Sequence, residues 1–428
     1  MSTGFISSSL PLLTRSAGAF VFVFVFDLTY TLYHNINQIS SLTITNNHKV
    51  YFDRSDKIKY NNIAPNLNKK AGDKMSDNII VELSGDEDKL AERLKAIQNF
   101  AMEDLKRTIH IFLKKEVGFD VLLPIINIKK YYSAKPIPAS LKLLGESDDA
   151  VYLSAGDTRK IALHSQIIIK TAFPEIHPIL ANTFPKVNGH FIFLDIGASL
   201  WPDDKNLFPW IAFAGRSIAE LLYKKVKMGL LNIGEEYGKG GEKMEKIRIS
   251  LLRLFKDEFI GNIEMHNAIK SDINLLVTSG FLGNLTIKTF EGTVRTMKEK
   301  TTKGRFKKFT DFSFKALFKF CWNELYWKNY SGAYLLGFKK PILVTHGASD
   351  ATAFYNALKR ACDPATQKIF EKVNNDPLTK KYFEKPADAD HIKINLEEKL
   401  QSLEEQQKNI NREIKSIKKN LEKYIEVN

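Results

Sequence analysis

Two hydrophobic rhythms alternate along this chain. Short apolar runs lie at residues 121–123, 151–153, 191–195, 228–233, 259–263, 273–277 and 342–345, and 77–86 reads as a strand followed by a turn. Runs this short, bounded by Gly, Asn, Asp and Ser, predict buried strands. Between them, apolar residues recur at three- and four-residue spacing. Residues 89–115 carry Leu90, Leu94, Ile97 and Phe100 in that step and predict one or two amphipathic helices. Alternating strands and helices imply an α/β fold, with a mostly parallel sheet covered by helices on both faces. Such folds bind ligands in the loops that follow strand C-termini.

The ends depart from this rhythm. The apolar run at 18–26 is rich in Val and Phe, which favours a strand buried on both faces. It is shorter than the roughly 18–20 apolar residues of a spanning helix. No basic cluster precedes it, as a signal peptide would require. Residues 35–74 are rich in Asn, Ser and Lys and read as loop. At 298–328 a basic stretch (Lys300, Lys303, Arg305, Lys307, Lys308) leads into Phe309, Phe312, Phe314, Phe318, Phe320 and Trp322. That pattern fits a helical insertion lying on an anionic membrane, or else a dimer-packing helix with a solvated basic flank. Near the C-terminus Leu396, Leu400, Leu403, Gln407, Ile410, Ile414, Ile417, Leu421 and Tyr424 form a seam with spacings of four and three. It predicts a coiled-coil helix, paired with a second subunit or folded back on its own domain. The expected organisation is 1–75 as a divergent N-terminal strand and polar loop, 76–297 with 329–375 as the main domain, 298–328 as the insertion, and 376–428 as the C-terminal helix.

At 428 residues the chain is long enough for one large domain with appendages. Its two cysteines, Cys321 and Cys362, argue against a disulfide framework and fit a reducing compartment. The nine histidines form no ligand-like pair, so neither a metal nor another cofactor is expected. A net charge of +14 calls for an acidic partner. No nucleic-acid module is visible.

Candidate chemistry concentrates in loops of small residues. Met228-Gly-Leu-Leu-Asn-Ile-Gly-Glu-Glu-Tyr-Gly-Lys-Gly-Gly-Glu242 reads as a buried strand running into a glycine loop with one lysine. Glycines there allow close backbone approach, and Lys239 is a natural contact for an anion. Gly280-Phe-Leu-Gly-Asn284 and Thr345-His-Gly-Ala-Ser-Asp350 have the same form, with Asp350 or Ser349 expected to cap the following helix.

With Ser154-Ala-Gly-Asp-Thr158, Asp195-Ile-Gly-Ala-Ser199, Phe259-Ile-Gly-Asn-Ile-Glu264 and Tyr330-Ser-Gly-Ala-Tyr334, these segments resemble the bacterial PlsX family in order and spacing. The resemblance spans about 76–362. It implies a three-layer αβα sandwich like that of isopropylmalate dehydrogenases. The implied activity is that of an acyl-ACP:phosphate acyltransferase of phospholipid synthesis. By the same resemblance Lys239 and Asn284 are the catalytic candidates. Asn232, Gly238, Gly240, Gly283, Asp195, Ser154, Gly156, Thr158 and His346 are candidates for binding phosphate or substrate. The implied partners are acyl carrier protein, inorganic phosphate, a second subunit as a homodimer, the anionic inner face of the cytoplasmic membrane, and a downstream membrane acyltransferase. The sequence departs from the family at Leu28-Thr-Tyr-Thr-Leu32, which stands where a glycine loop follows the first aspartate, and at Asp157, which replaces an asparagine. The altered N-terminus motivates one alternative, a non-catalytic homologue that binds the carrier protein or membrane. A phosphate acetyltransferase acting on coenzyme A thioesters is the other.

Overall fold

The computed structural model describes residues 76–114, 127–173, 176–199, 205–303 and 330–383, all within the unit spanning 60–428. The expected strand at 18–26, the run at 121–123, most of the 298–328 insertion and the heptad seam lie outside the described residues.

The described strands are β1 (Asn78–Glu82), β2 (Thr108–Leu113), β3 (Ile128–Tyr132), β4 (Ala150–Ser154), β5 (Ile179–Lys186), β6 (Gly189–Leu194), β7 (Met228–Leu231), β8 (Phe259–Ile263), β9 (Leu275–Val277), β10 (Ala333–Leu336) and β11 (Ile342–Val344). They form one sheet in the order β3-β2-β1-β4-β11-β10-β5-β6-β9-β7-β8. Seven of the ten neighbouring pairs are parallel, and β11/β10, β10/β5 and β5/β6 are antiparallel. Those three reversals make the two parallel sets point in opposite directions. Loops after β1, β4 and β11 therefore leave one edge of the sheet, and loops after β6, β7 and β9 leave the other.

The helices are α1 (Leu90–Glu103), α2 (Pro136–Glu146), α3 (Thr158–Ile168), α4 (Leu207–Leu222), α5 (Gly241–Phe255), α6 (Met265–Lys270), α7 (Gly280–Lys303), α8 (Ala351–Ala361), α9 (Pro364–Asn375) and α10 (Pro377–Phe383). Strand periodicity divides the core between two faces. Ile79, Val81, Ile192, Leu194, Leu275 and Val277 join one continuous cluster with Leu94, Ile97, Trp210, Ile211, Phe354 and Leu358. The other face is covered in two pieces. Ile80, Phe112 and Tyr152 pack with Leu141, Leu144 and Ile161 of α2 and α3. Phe184, Phe191, Phe193 and Leu276 form a separate aromatic cluster, against which Leu282, Ile287 and Phe290 of α7 pack. Each of these fully buried aliphatic or aromatic side chains contributes about 1.5–3 kcal/mol. Ile196 touches both pieces and marks the seam between them.

The αβα sandwich with a mostly parallel sheet is therefore present, with corrections of detail. Of the one or two helices expected over 89–115, one forms and ends at Glu103, and 108–113 is strand β2. The run Thr-Ile-His-Ile-Phe-Leu is β-branched and aromatic, and suits a pleated surface better than a helix. Strand β5 was not foreseen, because Asn182 and Pro185 interrupt its apolar run. Only residues 179–181 pair with β10, while Pro185 pairs with β6 alone, so its missing N–H breaks no ladder on the open side. Strand β3 was also missed: at the outer edge it carries exposed Lys129 and Lys130, a common guard against edge pairing. Finally, α10 packs Phe383 against Phe173 and Trp210, so the packed body runs past 375 to Phe383.

Candidate functional site

Around Asp195 the β6 loop is built by a single buried carboxylate. Its Oδ1 accepts from the backbone N–H of Leu180, Gly197 and Ala198 at 2.8, 3.0 and 3.0 Å, and its Oδ2 from Ser199 at 2.6 Å. Burial raises its pKa despite these donors. The start of α7 is pressed onto this loop. A Cβ on Gly283 would lie 1.9 Å from the Asp195 carbonyl oxygen, and one on Gly280 2.0 Å from that of Ser199. Asn284 sits over Gly197, with its Cβ 3.2 Å from where a Gly197 Cβ would be.

Asn284 is not the cap of α7. Ser279 takes that part, its hydroxyl accepting from Leu282 N and its carbonyl from Gly283 N. Gly280 N donates to Ser199 Oγ. Three of the first four helix N–H groups are thus already paired within the protein. What remains available there is the exposed Asn284 side chain.

The glycine loop after β7 is folded by Asn232. Its amide donates to the Lys239 carbonyl at 2.8 Å, and its side-chain oxygen accepts from Ile233 N at 2.8 Å. Gly238, Gly240 and Gly241 have φ of 78°, 81° and 81°, the left-handed region that favours glycine. A Cβ on Gly240 would meet Asn232 Oδ1 at 2.5 Å. Lys239 rides on this frame with its side chain 49% exposed and its ammonium 3.8 Å from Glu236.

The remaining candidates stand on the opposite edge. Ser154 is fully buried; its hydroxyl donates to Glu82 Oε2 at 2.5 Å and accepts from Gly156 N at 2.9 Å. Gly156 has no room for a side chain, since its Cβ would lie 2.9 Å from Glu82. Burial raises the Glu82 pKa, and the Ser154 and Ser84 hydrogen bonds oppose that shift. Thr158 is the first residue of α3, which Asp157 caps by accepting from Arg159 N and Lys160 N. Asp350 caps α8 through Ala353 N. Ser349 instead joins the buried hydroxyl chain Ser331–Thr345–Ser349, with links of 2.7 and 2.8 Å. Beneath these loops the buried Arg93 donates to the carbonyls of Gly347 and Ser349.

His346 is exposed, and its Nε2 lies 2.8 Å from Lys288 Nζ. Partial desolvation, then the Lys288 charge, lowers its pKa. Lys288 was not singled out from the sequence. The signal was there: it follows Asn284 by four residues on one helix, which puts both on the same face.

The sequence candidates therefore divide. Lys239, Asn232, Gly238, Gly240, Asp195, Gly283 and Asn284 occupy one edge. Ser154, Gly156, Thr158 and His346 occupy the other, and α7 crosses between them. Asp195, Asn232 and Ser154 spend their polar atoms building loops. Lys239 and Asn284 present theirs outward, and His346 is exposed with its ring nitrogens against Ala348 N and Lys288 Nζ.

A family model described as "Fatty acid synthesis protein" matches residues 68–372, which covers nearly every loop described above. The chain belongs to this family. It is the PlsX family, to which the sequence motifs pointed. A phosphate acyltransferase of Pseudothermotoga lettingae is 35% identical over 242 residues, covering 55% of this chain and 74% of that protein. One from Clostridium perfringens strain SM101 is 32% identical over 318 residues, covering 72% and 90%. Among solved structures, a branched-chain phosphotransacylase from Enterococcus faecalis V583 superposes with a TM-score of 0.43 at 14% identity, covering 66% of this chain and 97% of that one. A likeness that loose carries no argument about function. Among the described residues no helix is long and apolar enough to cross a membrane.

Proposed function

We propose that the chain is an acyl-ACP:phosphate acyltransferase. It takes an acyl thioester on acyl carrier protein and inorganic phosphate to an acyl phosphate and free carrier protein. The observation that carries this reading is family membership over 68–372, with relatives named phosphate acyltransferase at 35% and 32% identity. The same observation favours the enzyme over a non-catalytic homologue.

In the reaction a phosphate oxygen attacks the thioester carbonyl carbon. The C–O bond forms, the C–S bond breaks, and the proton of hydrogen phosphate ends on the departing sulfur. Phosphate is itself the nucleophile, so the protein's tasks are to bear charge and to position two substrates. In this proposal Lys239 neutralises phosphate or the oxyanion forming on the carbonyl, and Asn284 donates its amide to the same centre. Asp195, Asn232, Gly238, Gly240 and Gly283 shape the loops that hold them. Ser154, Gly156 and Thr158 shape the opposite wall, with His346 facing substrate.

The test is acyl phosphate formation from a long-chain acyl-ACP, with Lys239→Ala alongside. Since Lys239 is half exposed, the variant should keep its stability within about 0.5 kcal/mol. Its rate should fall about 10²–10³-fold, as loss of a transition-state donor does. Full activity in the folded variant would remove Lys239 from the mechanism. No product from folded wild type that still binds the carrier protein would favour the non-catalytic homologue. A coenzyme A thioester preferred over acyl-ACP would favour the phosphate acetyltransferase.

The proposal extends to a homodimer at the inner face of the cytoplasmic membrane, where acyl phosphate is handed to a membrane acyltransferase. The basic aromatic run at 298–328 supports the membrane contact. Light scattering that gave a monomer mass would remove the dimer.

A further inference from the structure

Helix α7 links two loops that leave opposite edges of the sheet. Near its start Asn284 packs over Gly197 in the loop after β6. Four residues on, about 6 Å along the axis, Lys288 Nζ stands 2.8 Å from His346 Nε2 in the loop after β11. The other ring nitrogen of His346, Nδ1, accepts the backbone N–H of Ala348 at 3.0 Å. A neutral imidazole that accepts at Nδ1 carries its proton on Nε2. An ammonium and an imidazole N–H thus stand side by side as two donors.

Two donors so placed are complementary to an oxyanion, whose oxygens accept from both. Several charges border this pair. Glu291 Oε2 lies 2.9 Å from Lys288 Nζ as an ion pair on the same helix. Arg295, one helical turn further along α7, and Asp86, in the loop after β1, also act on the His346 ring. Lys288 and His346 are both exposed.

We infer that Lys288 and His346 form a two-donor clamp for inorganic phosphate, the nucleophile of the proposed reaction. This rests on the acyltransferase reading and deepens it by separating two tasks. Lys288 and His346 hold phosphate, and Lys239, on the opposite edge, serves the thioester carbonyl. The sequence had left Lys239 open to either.

The experiment has a binding arm and a turnover arm, both on the full-length protein. The first is a titration of inorganic phosphate followed by 31P NMR line broadening. Wild type and Lys239→Ala should bind phosphate alike, and Lys288→Met and His346→Gln should bind it about 10–100-fold more weakly. The second is steady-state turnover with acyl-ACP. Lys288→Met should raise KM for phosphate by a similar factor while leaving KM for acyl-ACP unchanged, and Lys288→Arg should recover most of the loss. Unchanged phosphate binding in Lys288→Met overturns the clamp. So does a fall in kcat with KM for phosphate unaltered, or a wild type that does not bind phosphate. If Lys288→Met fails to fold, His346→Gln and Lys288→Arg decide by the same readouts. A wild type that binds phosphate through Lys288 but makes no acyl phosphate would sink the proposed activity and leave the clamp standing.

Discussion

Helix α7 offers the same substitution at two positions with opposite expected signs. Gly283 and Gly292 both lie inside its span, Gly280–Lys303. Replacing glycine by alanine in an exposed helix interior gains about 0.8–1.0 kcal/mol in propensity. At Gly292 nothing lies within 4 Å of the added Cβ, so Gly292→Ala should realise that gain. At Gly283 the Cβ would stand 1.9 Å from the Asp195 carbonyl oxygen and 2.9 Å from its carbonyl carbon. Both obstacles are main chain, so no rotamer change relieves them. Ordinary contact begins near about 3.5 Å, and the helix or the loop must move by more than an ångström. Such overpacking costs about 1–3 kcal/mol, and more if the four N–H bonds to the Asp195 carboxylate loosen. We therefore expect Gly283→Ala to be destabilised by about 1–3 kcal/mol while Gly292→Ala is stabilised by nearly 1. Urea unfolding with a common m value measures both as shifts of midpoint. Gly283→Ala should also lose turnover, since Asn284 is the next residue. Equal midpoints for the two variants would refute the account of the α7–loop contact.

Asp157→Ala should cost about 1 kcal/mol through loss of the α3 cap, and Asp157→Asn should restore it, both read from urea midpoints. The ring of His346 should titrate below its ordinary 6.5, and histidine ring NMR should place it higher in Lys288→Met and lower in Glu291→Gln, because the lysine opposes the imidazolium and the glutamate favours it; a wild-type value at or above 6.5 would contradict the geometry. Replacing Phe314 and Phe318 by Ser should weaken sedimentation with anionic liposomes, and undiminished binding would assign that contact to another segment.

Much of this molecule was legible before its structure. The buried runs at β4, β6, β7, β9 and β11 stand out because each lies between two neighbours with apolar side chains demanded on both faces, and continuous apolarity is easy to see. What was missed is what lacks that uniformity. β3 is polar on its open side, β5 carries Asn182 and Pro185, and β2 follows a true helix so closely that its alternation was absorbed into the helical pattern. The site shows the same division. Family motifs located Lys239, Asn284 and His346, which the structure leaves exposed. They did not reveal that Asp195, Asn232 and Ser154 spend their polar atoms on neighbouring backbone, because a side chain's partners are set by tertiary contact. Nor did they reveal that the motif loops leave opposite edges. That follows from three antiparallel pairings, which no local pattern records.

Arg360 has a wider meaning than its place in α8 suggests. Its Nη1 reaches the carbonyls of Tyr330 and Gly332 at 3.1 and 2.7 Å and the Asn182 side chain at 2.7 Å. The chain is thus moored where it returns to the sheet, as α7 moors it where it leaves. A change at Arg360 therefore loosens the return of the chain at Tyr330–Gly332 without touching the contact between α7 and the Asp195 loop.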